Sequence, residues 1–397
     1  MSEPSHIAVP AEKMSSILDN TTARSNIKRV VVMGDILRPW PAGDQSTSGA
    51  FRNIQWTHEL IAHAVRACGK EIVALDWSHH SSNIKYKIFR ISEYYEAKGL
   101  EISQYAWSSL VNSSVPCAEL ERQFDIVLDG ALVVGYEMSK VQIATLEKMG
   151  VPYIDLVLHP IRFMQDILHG ARTNSLDIHC VLQKCHLDSG IAYESAGQIM
   201  AKVARFPKTA SAAVDTGLLL GQVWTDRAVS KPDGGFFKLD DFYGAIANIA
   251  HRHAGLLYKP HPYESVSGDK SLVCEHIKSI VVNKLNYYVL LAQPTITAVY
   301  GLNSSALYEA RFFGRKAEYL IPAQYKFNDD VSGTQITLGQ FITLADIWTT
   351  KSFWAQIFGL PENHPLPDKN LISSNKLRRS MNTDWGFSFI DNLVVEL

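Results

Sequence analysis

The chain has 397 residues, of which 46% are hydrophobic and 20% charged, and its formal net charge is -2. That length and composition fit a globular protein of two domains. The near-neutral charge excludes a nucleic-acid protein that relies on bulk positive charge. The N-terminal residues 1–26 are polar, without a long apolar core. They read as a tail rather than a signal peptide, and any membrane contact is expected to be peripheral. The five cysteines, Cys68, Cys117, Cys180, Cys185 and Cys274, are scattered and odd in number. They read as reduced thiols of a cytosolic protein. Cys180 and Cys185, flanked by His179 and His186, lack a second ligand pair, so no metal is expected there.

From Lys28 the pattern alternates. "KRVVVMGDIL" is a β-branched run ending at Gly34 and Asp35, and a polar loop follows it. "AFRNIQWTHELIAHAVRACG" has helical spacing and "EIVALDW" reads as the next strand. "KYKIFRISEYYEAKG" is read as a helix, "FDIVLDGA" as a strand, "MSKVQIATLEKMG" as a helix and "VPYIDLVLHP" as a strand. The Ala-rich helix "SGIAYESAGQIMAKVARF" leads to a second alternating series. Its strands are "GLLLGQVW", "LLYKPHPYE", "TITAVYGL" and "AEYLIP", with helices between them, and the aromatic tail beyond reads as helical. The alternation predicts an α/β fold with mostly parallel sheets. The expected division is a Rossmann-like unit over 27–205, a second over 206–335 and a helical segment over 336–397. In such sheets ligands bind beyond the carboxyl ends of strands, so the chemistry should lie just after them.

Four post-strand segments carry candidate chemistry. In "VYGLNSSALYEARFFG", Asn303, Ser304 and Ser305 open a helix whose N–H groups suit an anion, and Glu309 lies one turn in, within reach of a ribose. The plain alternative is that a serine only caps the helix. In "KPHPYE", two prolines stiffen a frame that presents Lys259 and His261, suited to a phosphate. In "GQVWTDRAV", Gln222 and Asp226 follow a strand. Asp226 could be a nucleophile, a base or a turn cap, and Asp233 is a rival carboxylate. In "YIDLVLHPIRF", Asp155 sits inside a strand run where an aspartate is unfavourable without a purpose. Arg162 beyond it suits a substrate carboxylate. Neither a dinucleotide fingerprint nor a P-loop is present.

In this order, "GQVWTD", "KPHP" and "GLNSSALYEARFFG" resemble the retaining β-Kdo transferases of bacterial surface-polysaccharide assembly, of the WbbB-type and KpsC-type. "DLVLHPIRF" also resembles a WbbB-type segment. The resemblance spans about Lys28 to Pro322. It implies a variant GT-B fold, two Rossmann-like domains facing across a cleft, without a cofactor, with CMP-β-Kdo as donor and a lipid-linked glycan as acceptor. It further implies double displacement with Asp226 as nucleophile, His261 at the donor phosphate, and Asp155 where the family has a glutamate. Lys259, Gln222, Asn303, Ser304, Ser305, Glu309 and Arg162 would hold the donor. Partners would be other polysaccharide-assembly enzymes at the inner face of the inner membrane, without nucleic acid. The rival readings are a GT-B transferase using CMP-sialic acid or a UDP-sugar, and a non-catalytic assembly subunit.

Overall fold

The computed structural model describes residues 26–40, 48–77, 84–205, 214–223, 225–261, 277, 280–283, 285–327, 336–361 and 365–381. Most of the expected N-terminal tail, the end of "KPHPYE" and Cys274 lie outside them. The protein is α/β, built on two largely parallel sheets.

The first sheet holds β1 (Arg29–Gly34), β2 (Glu71–Asp76), β3 (Tyr86–Ile88), β4 (Ala131–Tyr136), β5 (Tyr153–Leu158), β6 (His169–Thr173) and β12 (Ile342–Leu344), in the order β12-β6-β5-β4-β1-β2-β3. The second holds β7 (Thr216–Leu220), β8 (Gly255–Lys259), β9 (Ile280–Val282), β10 (Ile296–Gly301) and β11 (Lys316–Tyr319), in the order β11-β10-β7-β8-β9. The central strands are continuous apolar runs because helices cover both faces. Val30 to Met33 and Leu218 to Leu219 are fully buried.

Each sheet reverses direction once. In the first, β1 lies between β2 and β4, and Gly34 is opposite Tyr136 at their carboxyl ends. In the second, β7 lies between β8 and β10. These two reversals are the topological switch points where open α/β sheets leave a crevice for ligands.

Three expected elements differ. The segment read as one helix from Lys85 starts with β3, paired in parallel with β2, and becomes helical only over Ile91–Ala97. "FDIVL" is the last part of a helix, Ala118–Leu128, which buries Leu120, Phe124, Val127 and Leu128 on one face. The strand follows Gly130, whose φ of 62° makes the turn, and every residue of β4 is buried. In the tail, Ile342–Leu344 is a strand rather than helix. It pairs antiparallel with β6, and the helix Lys351–Ile357 then packs on the helices Phe51–Ala67 and Leu176–Lys184.

Two segments tie the halves together. The helix Gly190–Ala204 buries Ala192, Ala196 and Ile199 in one core with Leu218, Leu220 and Val299, so it belongs to the second sheet. The connection between β5 and β6 leaves the first sheet and buries Ile161, Phe163 and Met164 in that same core. Asp166 in this connection accepts the Leu377 and Arg378 N–H groups at 2.7 and 3.0 Å, which fixes the helix Lys376–Met381 against it. Among the described residues, no helix is long and apolar enough to cross a membrane.

Candidate active site at two facing switch points

At the second sheet's switch point, Gln222 follows β7 and Asn303 follows β10. Their amides pair reciprocally, Gln222 Nε2 donating to Asn303 Oδ1 at 2.9 Å and Asn303 N–H to Gln222 Oε1 at 3.3 Å. Asn303 Nδ2 also donates to the Ala228 carbonyl. Ser304 caps the helix Ser305–Ala310 through the Ala306 N–H. On the next strand, Lys259 ends β8 beside Leu220 and donates to the Leu285 carbonyl at 2.6 Å. Burial pulls its ammonium below the usual lysine range. His261 lies two residues on and is half-buried. Thus Gln222, Lys259, His261, Asn303, Ser304 and Ser305 gather at one carboxyl edge. Gln222 and Asn303 brace the loops there, because their amide groups bond to each other and to backbone.

At the first sheet's switch point stand Asp35, after β1, and Glu137, after β4. The Asp35 carboxylate is buried and accepts the Trp107 indole N–H at 2.9 Å. Burial raises its pKa, with Arg227 the chief opposing charge. Glu137 holds a φ of 53°, an uncommon conformation for a non-glycine residue. Its carboxyl is also raised by burial, against Arg227, and the charge of Asp226 pushes it further up. A strained backbone carrying a perturbed carboxyl at a switch point marks a functional-site candidate.

The chain after β7 connects the two edges. Asp226 is exposed and caps the turn Arg227–Val229 through the Ala228 N–H at 3.1 Å. Arg227 is buried and donates to two successive carbonyls, those of Glu137 and Met138, the latter at 2.9 Å. Arg38 donates to the Thr225 carbonyl at 3.2 Å, Asn112 to Ser230 Oγ at 2.9 Å, and the Gly235 N–H to Ser108 Oγ at 2.7 Å. The loop expected to carry the nucleophile therefore lies against the first sheet's edge, next to Glu137. Asp233 is exposed, on the turn between Arg227 and Gly235.

Three expected site residues lie elsewhere than the edge. Asp155 is 1% exposed inside β5. Its Oδ2 accepts Arg172 Nε and Nη2 at 3.0 and 2.8 Å, and its Oδ1 accepts the Met138 N–H at 3.1 Å. The carboxylate thus sits beneath the edge and supports the turn that carries Glu137. Glu309 is 2% exposed and accepts the Arg162 N–H at 2.6 Å and the Tyr288 hydroxyl at 3.0 Å, so it faces the β5–β6 connection instead of an open ribose site. Burial raises its pKa to about 7. Arg162 is half-buried between the sheets, with Glu309, Tyr136, Tyr288 and Glu137 as its charged or titratable neighbours.

Glu137 is the residue that the sequence reading missed. The signal was present in "VVGYEMSK", a carboxylate between an apolar run and Ser139, which forms a capping box with Gln142. Placing the strand over "FDIVLDGA" moved its carboxyl end away from Glu137.

No protein-family model and no curated protein matches the chain. Solved structures do. A β-Kdo 2,7 transferase, KpsC of Thermosulfurimonas dismutans, is 17% identical with a TM-score of 0.35, covering 68% of this chain and 90% of its own. A β-Kdo 2,4 transferase of the same KpsC is 15% identical with a TM-score of 0.30, covering 47% and 67%. S. aureus MnaA with UDP is 10% identical with a TM-score of 0.27, covering 93% and 98%. Likeness this low assigns no residue a role. The roles below come from the geometry and the sequence motifs.

Proposed function

We propose that the protein is a retaining glycosyltransferase that moves Kdo from CMP-β-Kdo to a glycan acceptor. The observation that carries the reading is the meeting of two carboxylates, Asp226 and Glu137, one exposed and one with its pKa raised, beside an edge that presents Lys259, His261 and Ser304. Carboxyl groups whose environments differ in this way suit nucleophile and acid–base roles in double displacement.

Asp226 attacks the anomeric C2, and the C2–O bond to phosphate breaks. CMP leaves as a phosphate monoester, its new charge stabilised by Lys259 and His261. Glu137 then takes the proton of the acceptor hydroxyl as that oxygen displaces Asp226 from C2, giving net retention. Arg162 is the cation proposed for the sugar carboxylate. Asp155 supports the Glu137 turn from below, in place of the direct role that the sequence suggested.

The test is incubation with CMP-Kdo generated in situ and a panel of short glycan acceptors, read by mass spectrometry. Transfer with retained configuration, abolished in Asp226→Ala with CMP affinity kept within a few-fold, is the expected result. Donor without acceptor should leave one Kdo on the peptide containing Asp226. Transfer from CMP-sialic acid or a UDP-sugar alone would replace the donor assignment. An inverted product would end the double displacement.

A further inference from the structure

By chain position Asp226 belongs to the second sheet, six residues after β7 ends at Leu220. Among the described residues, its side chain bonds within its own turn, to the Ala228 N–H. What locates it is the next residue. We propose that Arg227 is a positioning residue that locks Asp226 to the first sheet, so the Asp226–Glu137 pair stands assembled before a donor reaches the facing edge. This rests on the roles proposed above for those two carboxylates.

The geometry favours a lock over a solvated arginine. The Arg227 side chain is buried, and its planar fork spans two consecutive carbonyls at the turn where Glu137 holds its left-handed backbone. Lysine carries its donors on a single nitrogen and cannot reproduce this two-nitrogen fork. Asp35, Glu137, Asp155 and Tyr325 surround the guanidinium, so its charge is offset within the protein. The bonds from Arg38, Asn112 and Ser108 hold the same 225–235 segment from the same side. The second sheet contributes the Asn303 bond to Ala228.

Arg227 also acts on Glu137 as a charge. The groups facing Glu137 are Arg227 and Asp226 from the loop after β7, Arg38 from the loop after β1, Asp155 from β5, Arg162 from the connection after it, Tyr136 from β4 and Tyr325 from the loop after β11. Removing Arg227 removes a cation that holds the Glu137 carboxyl down, so its titration moves to higher pH.

The experiment compares full-length wild type, Arg227→Gln, Arg227→Lys and Asn112→Ala. Hydrogen exchange over 225–237 and the carboxyl carbon NMR titration of Glu137 are read without substrate, and CMP binding and transfer are read separately. For Arg227→Gln we expect faster exchange, a Glu137 titration moved up, CMP affinity within a few-fold and kcat lower by on the order of 100-fold, the usual scale for a displaced reacting group. The acid limb of the transfer profile moves up with Glu137. Arg227→Lys keeps the charge without the fork, so kcat falls while the Glu137 titration holds. Asn112→Ala loosens the segment without touching Arg227, giving faster exchange and an unmoved titration, and it serves if the Arg227 variants do not fold. Unchanged exchange and an unmoved Glu137 titration in Arg227→Gln overturn the lock, whatever the activity. In Asn112→Ala, a Glu137 titration that moves up does the same, because Arg227 is intact there. If wild type transfers no sugar but the substrate-free readouts move as stated, the lock stands and the transferase reading falls.

Discussion

Substituting Arg172 by Met isolates the support beneath Glu137. Asp155 and Arg172 face each other across the antiparallel β5–β6 pair. The carboxylate is 1% exposed and the guanidinium side chain 24%. Arg172→Met leaves a buried carboxylate whose remaining donor, among the described residues, is the Met138 N–H. Breaking one partner of a buried ion pair costs about 3–5 kcal/mol, and the partial exposure of Arg172 lets water in, so about 3 kcal/mol is expected. Arg172 also stacks on the Phe341 ring at 4.7 Å. Methionine keeps a thioether contact there, so the loss reports the charge and not the packing. Adding Asp155→Asn removes the uncompensated charge while its carbonyl still accepts from Met138. The double variant should therefore recover at least about 1 kcal/mol over the sum of the single losses, well beyond the additivity of independent sites. Urea unfolding followed by tryptophan fluorescence measures all four corners of the cycle. An Arg172→Met loss under about 1 kcal/mol, or simple additivity, would show that the pair supports nothing.

Glu309 sets a pH dependence of stability. Its folded pKa of about 7 stands above the ordinary 4.5, so its favourable contribution is complete below pH 4.5 and is lost as the pH rises through 7. Glu309→Gln should remove that slope and be more stable than wild type at pH 8 by on the order of 3 kcal/mol, read from urea midpoints across pH. Asp166→Ala strands the buried Ile167, Leu377 and Arg378 N–H groups. We expect the helix Lys376–Met381 to release, with a loss of about 2–4 kcal/mol and early proteolysis after residue 365. A Cβ at Gly34 would lie 2.8 Å from that of Ala50, so Gly34→Ala should cost about 1–3 kcal/mol by calorimetry, because β1 and the following helix must separate.

Much of the fold was legible because strand burial leaves a one-dimensional trace. "RVVVMG", "EIVALD", "TGLLL" and "ITAVYG" are continuous apolar runs, and each is a central parallel strand. The post-strand motifs were legible for the same reason: once β7, β8 and β10 are placed, Gln222, Lys259, His261, Asn303 and Ser304 must share an edge. Short apolar runs are where the trace fails. "FDIVL" packs one helical face, and "ITL" in the tail pairs with β6, yet each has the local pattern of the other element.

The sequence by itself therefore determined the α/β class, the central strands and the residues lined up at the second sheet's edge. Tertiary structure alone decided where each carboxylate sits and what it meets. Asp155 and Arg172 are 17 residues apart in the chain, and their antiparallel register turns a conspicuous aspartate into a buried brace. Glu309 meets Arg162 across 147 residues and becomes part of the connection between the sheets. Arg227 reaches Glu137 across 90 residues and brings Asp226 to the first sheet. A carboxylate's role follows from its desolvation and its nearest charges, and both are set by long-range packing that no local window of sequence contains.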